Sequence, residues 1–274
     1  MDNKEYRNKE WLKKQFDKYK TPTLVSEKTG YPRTCITRYA IKYNIYNAKY
    51  TRDKSNYVDE EYFYNIDSSI KAYFLGFIMA DGNIYKRKNG KYQFSIKIKQ
   101  SDKDILLKFA QEIKFNKDKI IERTETRNKT KTHCAEIKIY NQTFCQHLIN
   151  HGVIPRKTGK ETMPQMKEEF KKDFVRGYID GDGWIGKNRA QIGFCSSSLS
   201  IMESITAYIE SAIKIKMNIS QQDKGLYVSK IYARKSVYQI LKHLYYDGCI
   251  SLNRKNKLAK EKQKEIIEDL IGSL

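Results

Sequence analysis

The chain has 274 residues, with Lys+Arg 53 against Asp+Glu 32 and a formal net charge of +21. A surplus of that size argues against an ordinary acidic enzyme of small metabolites. It argues for a polyanion partner, whose phosphates the field attracts and whose counterions binding releases. At 39% hydrophobic and 12% aromatic, the chain can build cores, so a disordered basic tail is excluded. Five cysteines (Cys35, Cys134, Cys145, Cys195, Cys249) show no C-x-x-C spacing, which speaks against a zinc module or a disulfide framework. No stretch reads as a membrane span, and the N-terminus lacks a signal-peptide apolar core. A soluble, intracellular protein with no membrane partner is expected.

In chain order, Trp11, Leu12, Phe16 and Tyr19 fall at helical spacing and predict a helix over 8–19. Thr21-Pro22-Thr23 caps and opens a second helix, which Gly30 ends. A third helix over 32–43 turns Ile36, Tyr39 and Ala40 inward. Helix, Gly-containing turn and basic helix match a helix-turn-helix, with Arg33, Thr34, Thr37 and Arg38 facing a major groove. A small all-α helix-turn-helix domain over 1–50 is expected, then a polar, aromatic linker over 51–65.

The remainder repeats itself. Ala72-Tyr73-Phe74-Leu75-Gly76-Phe77-Ile78-Met79-Ala80-Asp81-Gly82 matches Asp173-Phe174-Val175-Arg176-Gly177-Tyr178-Ile179-Asp180-Gly181-Asp182-Gly183. After each comes a hairpin: Asn83–Tyr85 with Tyr92–Lys99, and Trp184–Ile185 with Gln191–Cys195. Then follow a helix, two strands and a second helix in both copies. The fold class read from this is α+β: two pseudo-symmetric αββαββα repeats, over 66–160 and 161–274, with antiparallel β-saddles.

The strands alternate. Phe94, Ile96 and Ile98 share one face of 92–99, and Gln93, Ser95, Lys97 and Lys99 the other. In 134–140, Ala135, Ile137 and Ile139 turn inward while Glu136 and Lys138 turn out. The first hairpin turn carries Lys86, Arg87, Lys88 and Lys91 with no acid, and the second carries Lys187 and Arg189, with Gln191 opening the strand that follows as a further DNA-contact candidate. A twisted sheet with a cationic outer face is a candidate saddle for duplex DNA.

Gly76 and Ala80 lie four apart in the first motif helix, as do Gly177 and Gly181 in the second. Small residues at that offset let two helix backbones approach closely. Paired side by side, the helices bring Asp81 and Asp182 together at their C-terminal ends. Each end already carries roughly −0.5 of an elementary charge. Two carboxylates there form a negative well that protonates or binds a divalent cation, and oxygen-only ligands favour Mg²⁺, with Mn²⁺ as the alternative.

These two motifs resemble those of single-chain LAGLIDADG homing endonucleases, and the resemblance covers about residues 66–274. It implies a monomer with internal pseudo-twofold symmetry that cuts both strands of a long DNA target, as in intron homing. By it, Asp81 and Asp182 hold the metals, helped by the carbonyls of Ala80 and Gly181. It also implies that Lys157 and Lys255, from the duplicated Arg-Lys pairs, sit near the scissile phosphates, and that Gln100 and its counterpart Ser196 orient water. Met79 and Arg176 depart from the motif outside the metal position. Two other readings remain open on this scaffold: an RNA maturase with group I intron RNA as partner, and a non-cleaving DNA-binding regulator. The four histidines are scattered and form no nuclease pattern.

Overall fold

The computed structural model describes residues 4–46, 58–127 and 130–272. The chain divides into two compact units, Met1–Tyr57 and Val58–Leu274. Residues 51–57 of the expected linker lie outside the described residues.

In the first unit, three helices follow one 3₁₀ turn: α1 (Lys9–Tyr19), α2 (Pro22–Thr29) and α3 (Arg33–Lys42). Local chemistry sets their limits. Asn8 Oδ1 accepts from the N–H groups of Glu10 and Trp11, and Thr21 Oγ1 accepts from Leu24 N–H, with Pro22 in the first turn. Gly30 ends α2 at φ +74°, where a side chain would be strained. Leu12, Phe16, Val25, Ile36 and Ala40 are buried together, with Tyr6 closing the cluster.

The second unit begins inside the stretch expected to be linker. Val58, Tyr62 and Phe63 are buried in its core, and Asp59 N–H donates to Ile113 O. Three buried apolar side chains among polar neighbours have no regular period, so sequence pattern does not reveal them. Then come α4 (Ser69–Asp81), β1 (Gly82–Lys86), β2 (Tyr92–Lys99), α5 (Lys103–Glu112), β3 (Ile121–Arg127), β4 (Thr130–Ile139) and α6 (Gln142–Asn150). The second half runs α7 (Glu168–Asp182), β5 (Gly183–Ile185), β6 (Ile192–Ser196), α8 (Leu199–Ile213), β7 (Ile219–Gln221), β8 (Tyr227–Ile231) and α9 (Arg234–Leu244). A last helix, α10 (Asn253–Gly272), closes the chain.

The fold is therefore α+β, with two antiparallel four-stranded sheets ordered β1-β2-β4-β3 and β5-β6-β8-β7. The same order in both halves is the structural form of the repeat. The inner faces, with Phe94, Ile96 and Ile137 in the first half and Ile192 and Phe194 in the second, join the helices in one core. None of the helices among the described residues is long and apolar enough to cross a membrane.

α4 and α7 pack along each other and share the largest helix contact in the molecule. Every residue from Ala72 to Met79 and from Asp173 to Asp180 is buried. The reason is two glycines. A Cβ on Gly76 would lie 2.0 Å from Phe174 O, and one on Gly177 would lie 2.0 Å from Tyr73 O. The obstacle is backbone in both cases, so no rotamer change relieves it. Intrinsic propensity favours Ala over Gly inside a helix by roughly 1 kcal/mol. Gly76→Ala and Gly177→Ala are nonetheless expected to destabilise by about 3 kcal/mol or more, because overpacking against a backbone forces the helices apart. Urea denaturation of the two variants checks the sign.

Candidate active site and nucleic-acid interface

Asp81 and Asp182 are the last residues of α4 and α7, and each is followed at once by the first strand of its sheet. The helix crossing fixes their relation. A Cβ on Gly181 would meet Ala80 Cβ at 2.3 Å and Asp81 Oδ2 at 3.3 Å, so the Asp81 carboxylate leans against the opposite helix end. Asp81 reaches solvent, yet lost solvation and the charge of Asp182 push its carboxyl up to about 6 against the pull of Lys255, Lys157 and Arg254. Asp182 is also raised, chiefly by burial and opposed by Lys157. The two acids form the negative well that their positions in the motifs predict.

The two lysines also converge here, but each is tied to backbone. Lys157 Nζ donates to Ala80 O at 2.9 Å. Lys255 Nζ donates to Ile179 O, Asp180 O and Gly183 O at 2.6, 2.8 and 2.6 Å. Both therefore cap the C-terminal carbonyls of the motif helices, where a cation offsets the helix dipole. Burial lowers both ammonium groups, that of Lys255 to about 8. The Ala80 carbonyl, which the resemblance assigns to metal, thus has one of its two lone pairs taken by the Lys157 ammonium.

Gln100 and Ser196 differ as well. Gln100 is exposed, and its side-chain amide donates to Glu122, which also takes Lys103. Ser196 is buried, with its hydroxyl accepting from Ser198 N–H at 3.1 Å. Ser196 is committed to its own loop, whereas Gln100 stands at the surface.

Sequence reasoning missed the network that holds the second motif. Arg176 is fully buried, donating to Asp173 Oδ1, Leu244 O and Ile250 O, and its guanidinium lies 5.3 Å from the Tyr73 ring and 5.1 Å from the Tyr246 ring. Asp180 accepts from Tyr73 OH, Tyr245 OH and Leu252 N–H, all within 2.8 Å. The motif departure at Arg176 is thus a structural tie, and Asp180 anchors the segment that carries Lys255. Charged letters inside an otherwise buried helix are the signal that marks such ties.

The expected DNA-contacting residues divide by position. In the first half, Lys86, Arg87, Lys88, Lys91, Lys97 and Lys99 are exposed, and Gln93, Ser95 and Lys138 are half-buried. Lys187 and Arg189 are exposed in the second hairpin, but Gln191 is buried and its Oε1 accepts from Arg189 Nε. In the first unit, Arg33, Thr34 and Arg38 are exposed and Thr37 half-buried, and the four line one shallow depression on α3. The outer face of the first sheet is less purely cationic than expected. Lys97 pairs with Glu125 at 3.0 Å, and Glu136 takes Arg123 at 3.0 Å and Lys138 at 3.3 Å. The second sheet has shorter strands, and its outer face carries Trp184 against Gly193 with Lys230 beside it.

Residues 68–149 and 169–245, one segment in each half, match the LAGLIDADG-like domain family. The chain belongs to this family. Among solved structures, that of mesophilic variants of the homing endonuclease I-DmoI aligns with a TM-score of 0.50 at 16% identity, covering 69% of this chain and 97% of that one. Full-length DUF199/WhiA from Thermatoga maritima aligns at 14% identity over 77% of this chain and 64% of that one, with a TM-score of 0.47. By sequence, the DNA-directed RNA polymerase subunit Rpo1C of Methanocaldococcus jannaschii is 25% identical over 207 residues, 74% of this chain and 21% of that protein. An uncharacterized protein of the same archaeon is 26% identical over 119 residues, 43% of this chain and 40% of that protein. The chain thus spans well under half the length of these relatives. The first matched segment ends within the last turn of α6 and the second just past α9, so Lys157, Lys255 and α10 lie outside the matched residues.

The like-charged pair makes a titration prediction. The Asp81 carboxyl should titrate near pH 6, and Asp182→Asn should lower that midpoint by removing the neighbouring charge; carbon NMR of the carboxyl measures both. Because the folded-state value is raised, Asp81 favours the folded state below pH 4 and loses that contribution as pH rises through 6. Asp81→Asn should flatten this slope in urea denaturation between pH 4 and 7.

Proposed function

We propose that the chain is a site-specific endonuclease of double-stranded DNA, a hydrolase that cleaves one phosphodiester in each strand with divalent metal held by Asp81 and Asp182. The observation that carries this reading is the carboxylate pair on touching helix ends, with Asp81 pushed up to about 6 by lost solvation and by its partner's charge. An acid pair in that state is relieved by a divalent cation more completely than by a proton. Its donors are oxygens from Asp81, Asp182 and the Gly181 carbonyl, a set suited to Mg²⁺ or Mn²⁺ with water and phosphate completing the shell. When bound, such an ion supplies Lewis-acid charge and lowers the pKa of a coordinated water.

The protein's own residues do the rest. The ammonium groups of Lys157 and Lys255 neutralise the helix ends and let two acids sit together. Gln100, exposed just past the end of β2, offers its side-chain carbonyl to a water while its amide N–H donates to Glu122. Lys86, Arg87, Lys88 and Lys91 on one side, and Lys187 and Arg189 on the other, engage backbone phosphates on either flank of the cut. The helix-turn-helix, through Arg33, Thr34, Thr37 and Arg38, adds affinity for flanking sequence by linkage. The protein acts as a monomer, because both acids reside in one chain.

A second reading, a duplex binder that does not cleave, is favoured by two observations: Lys255 Nζ donates to three backbone carbonyls and Lys157 Nζ to one, and Ser196 is buried. Incubation with duplex DNA drawn from the gene's own locus, with Mg²⁺ and with chelator, separates the two. The wild type should cut both strands only with metal. Asp81→Asn and Asp182→Asn should each abolish double-strand cleavage while leaving affinity within about threefold. Cleavage retained in either variant removes the mechanism, and binding without cleavage by the wild type selects the second reading. Binding should also weaken steeply with salt, with a slope of about −0.9 for each phosphate neutralised.

A further inference from the structure

Arg123 stands on β3, on the outer face of the first sheet, opposite Cys134. Its Nε donates to Glu125 Oε1 at 2.8 Å, and its Nη2 lies 3.0 Å from Glu136 Oε2. Both carboxylates also face lysines. Lys97 donates to the two oxygens of Glu125 at 3.2 and 3.0 Å, and Lys138 Nζ lies 3.3 Å from Glu136 Oε2. Glu136 is 5% exposed, whereas the Arg123 side chain is 39% exposed.

Two acids on this face work against simple attraction of phosphate. A sheet that only tracked the backbone would gain from replacing them. They fit a different task, which is to hold a guanidinium by one edge and present the other. Nε donates to Glu125, Nη2 lies at ion-pair distance from the buried Glu136 carboxylate without an aligned hydrogen bond, and Nη1 has no partner among the described residues. A planar fork held in this way keeps its end-on pair of N–H groups for a planar acceptor pair. In the major groove that pair is O6 and N7 of guanine. Lys97 and Lys138, beside it, keep the face net cationic.

We propose that Arg123, braced by Glu125 and Glu136, is a specificity-determining residue that reads a guanine in the half-site bound by the first sheet. The inference rests on the duplex-DNA reading above and adds to it which side chain selects a base. Arg123 discriminates by its fork and the braces act by orienting it. Charge alone does not substitute, because a Lys at the same place is a point donor without the fork.

The test is selection from randomised duplexes at fixed salt, followed by sequencing, for the wild type, Arg123→Lys, Arg123→Ala, Glu136→Gln and Glu125→Gln. The wild type should enrich guanine at one position of one half-site. Arg123→Lys and Arg123→Ala should each lose that preference by about tenfold while preferences elsewhere hold. Glu125→Gln or Glu136→Gln should weaken the same position with Arg123 still present, an effect that mere loss of fold would not confine to one base pair. Unchanged preference in Arg123→Ala overturns the inference and leaves the function standing. An affinity loss spread evenly over all sequences also overturns it, since that marks a phosphate contact. No sequence enrichment by the wild type would remove the site-specific reading and this inference together.

Discussion

Two backbones touch where α4 crosses α7, and the rest of the second unit is arranged around that contact. At Gly76 and Gly177 a Cβ would strike the opposite backbone and hold the helices apart. The approach is close because the obstacles beyond those glycines are carbonyls, not side chains. One consequence is burial on all sides of both helices. Another is that their last residues, Asp81 and Asp182, end up against the same point. A carboxylate pair of this kind is electrostatically costly. The packing enforces it, because separating the acids would open the helix contact along its length.

The surrounding charges make the pair tolerable. Lys157 and Lys255 bond to the carbonyls that would otherwise add to the negative potential. Their own ammonium groups are lowered by burial, so acids and bases each hold the other's charge in place. The halves are not equivalent in how this is done. Lys157 has a single carbonyl and a nearby Glu161, whereas Lys255 has three carbonyls and the Asp180 anchor behind it. The buried Arg176 and Asp173, with the half-buried Tyr246, tie α7 to the chain around α9. A buried ion pair is weak evidence for stability but fixes geometry, which is its evident role here.

The sheets carry the same asymmetry to the outer surface. The first has long strands and a braced network of Lys97, Arg123, Glu125, Glu136 and Lys138. The second has short strands and presents Trp184, Gly193 and Lys230. A protein built as a repeat thus offers two unlike faces. Counting Lys and Arg overestimates the free positive charge of the first face, because part of it is spent on orienting neighbours.

Much of this was legible in the letters. Repetition of the Gly-x-x-x-(Ala/Gly)-Asp-Gly pattern gave the two halves and the helix pair, since small residues at that spacing have few other uses. Strand alternation assigned the inner and outer faces of β2 and β4, and Thr21, Pro22 and Gly30 set the limits of α2. These are local or periodic signals, carried by residues close in sequence. What only the tertiary structure decided is which distant groups meet. The capping of Ala80 by Lys157, the burial of Ser196 and Gln191, the core role of Val58, Tyr62 and Phe63, and the bracing of Arg123 by Glu136 all join residues without a fixed spacing. Their pairing depends on how whole elements stack, and no pattern along one element encodes it.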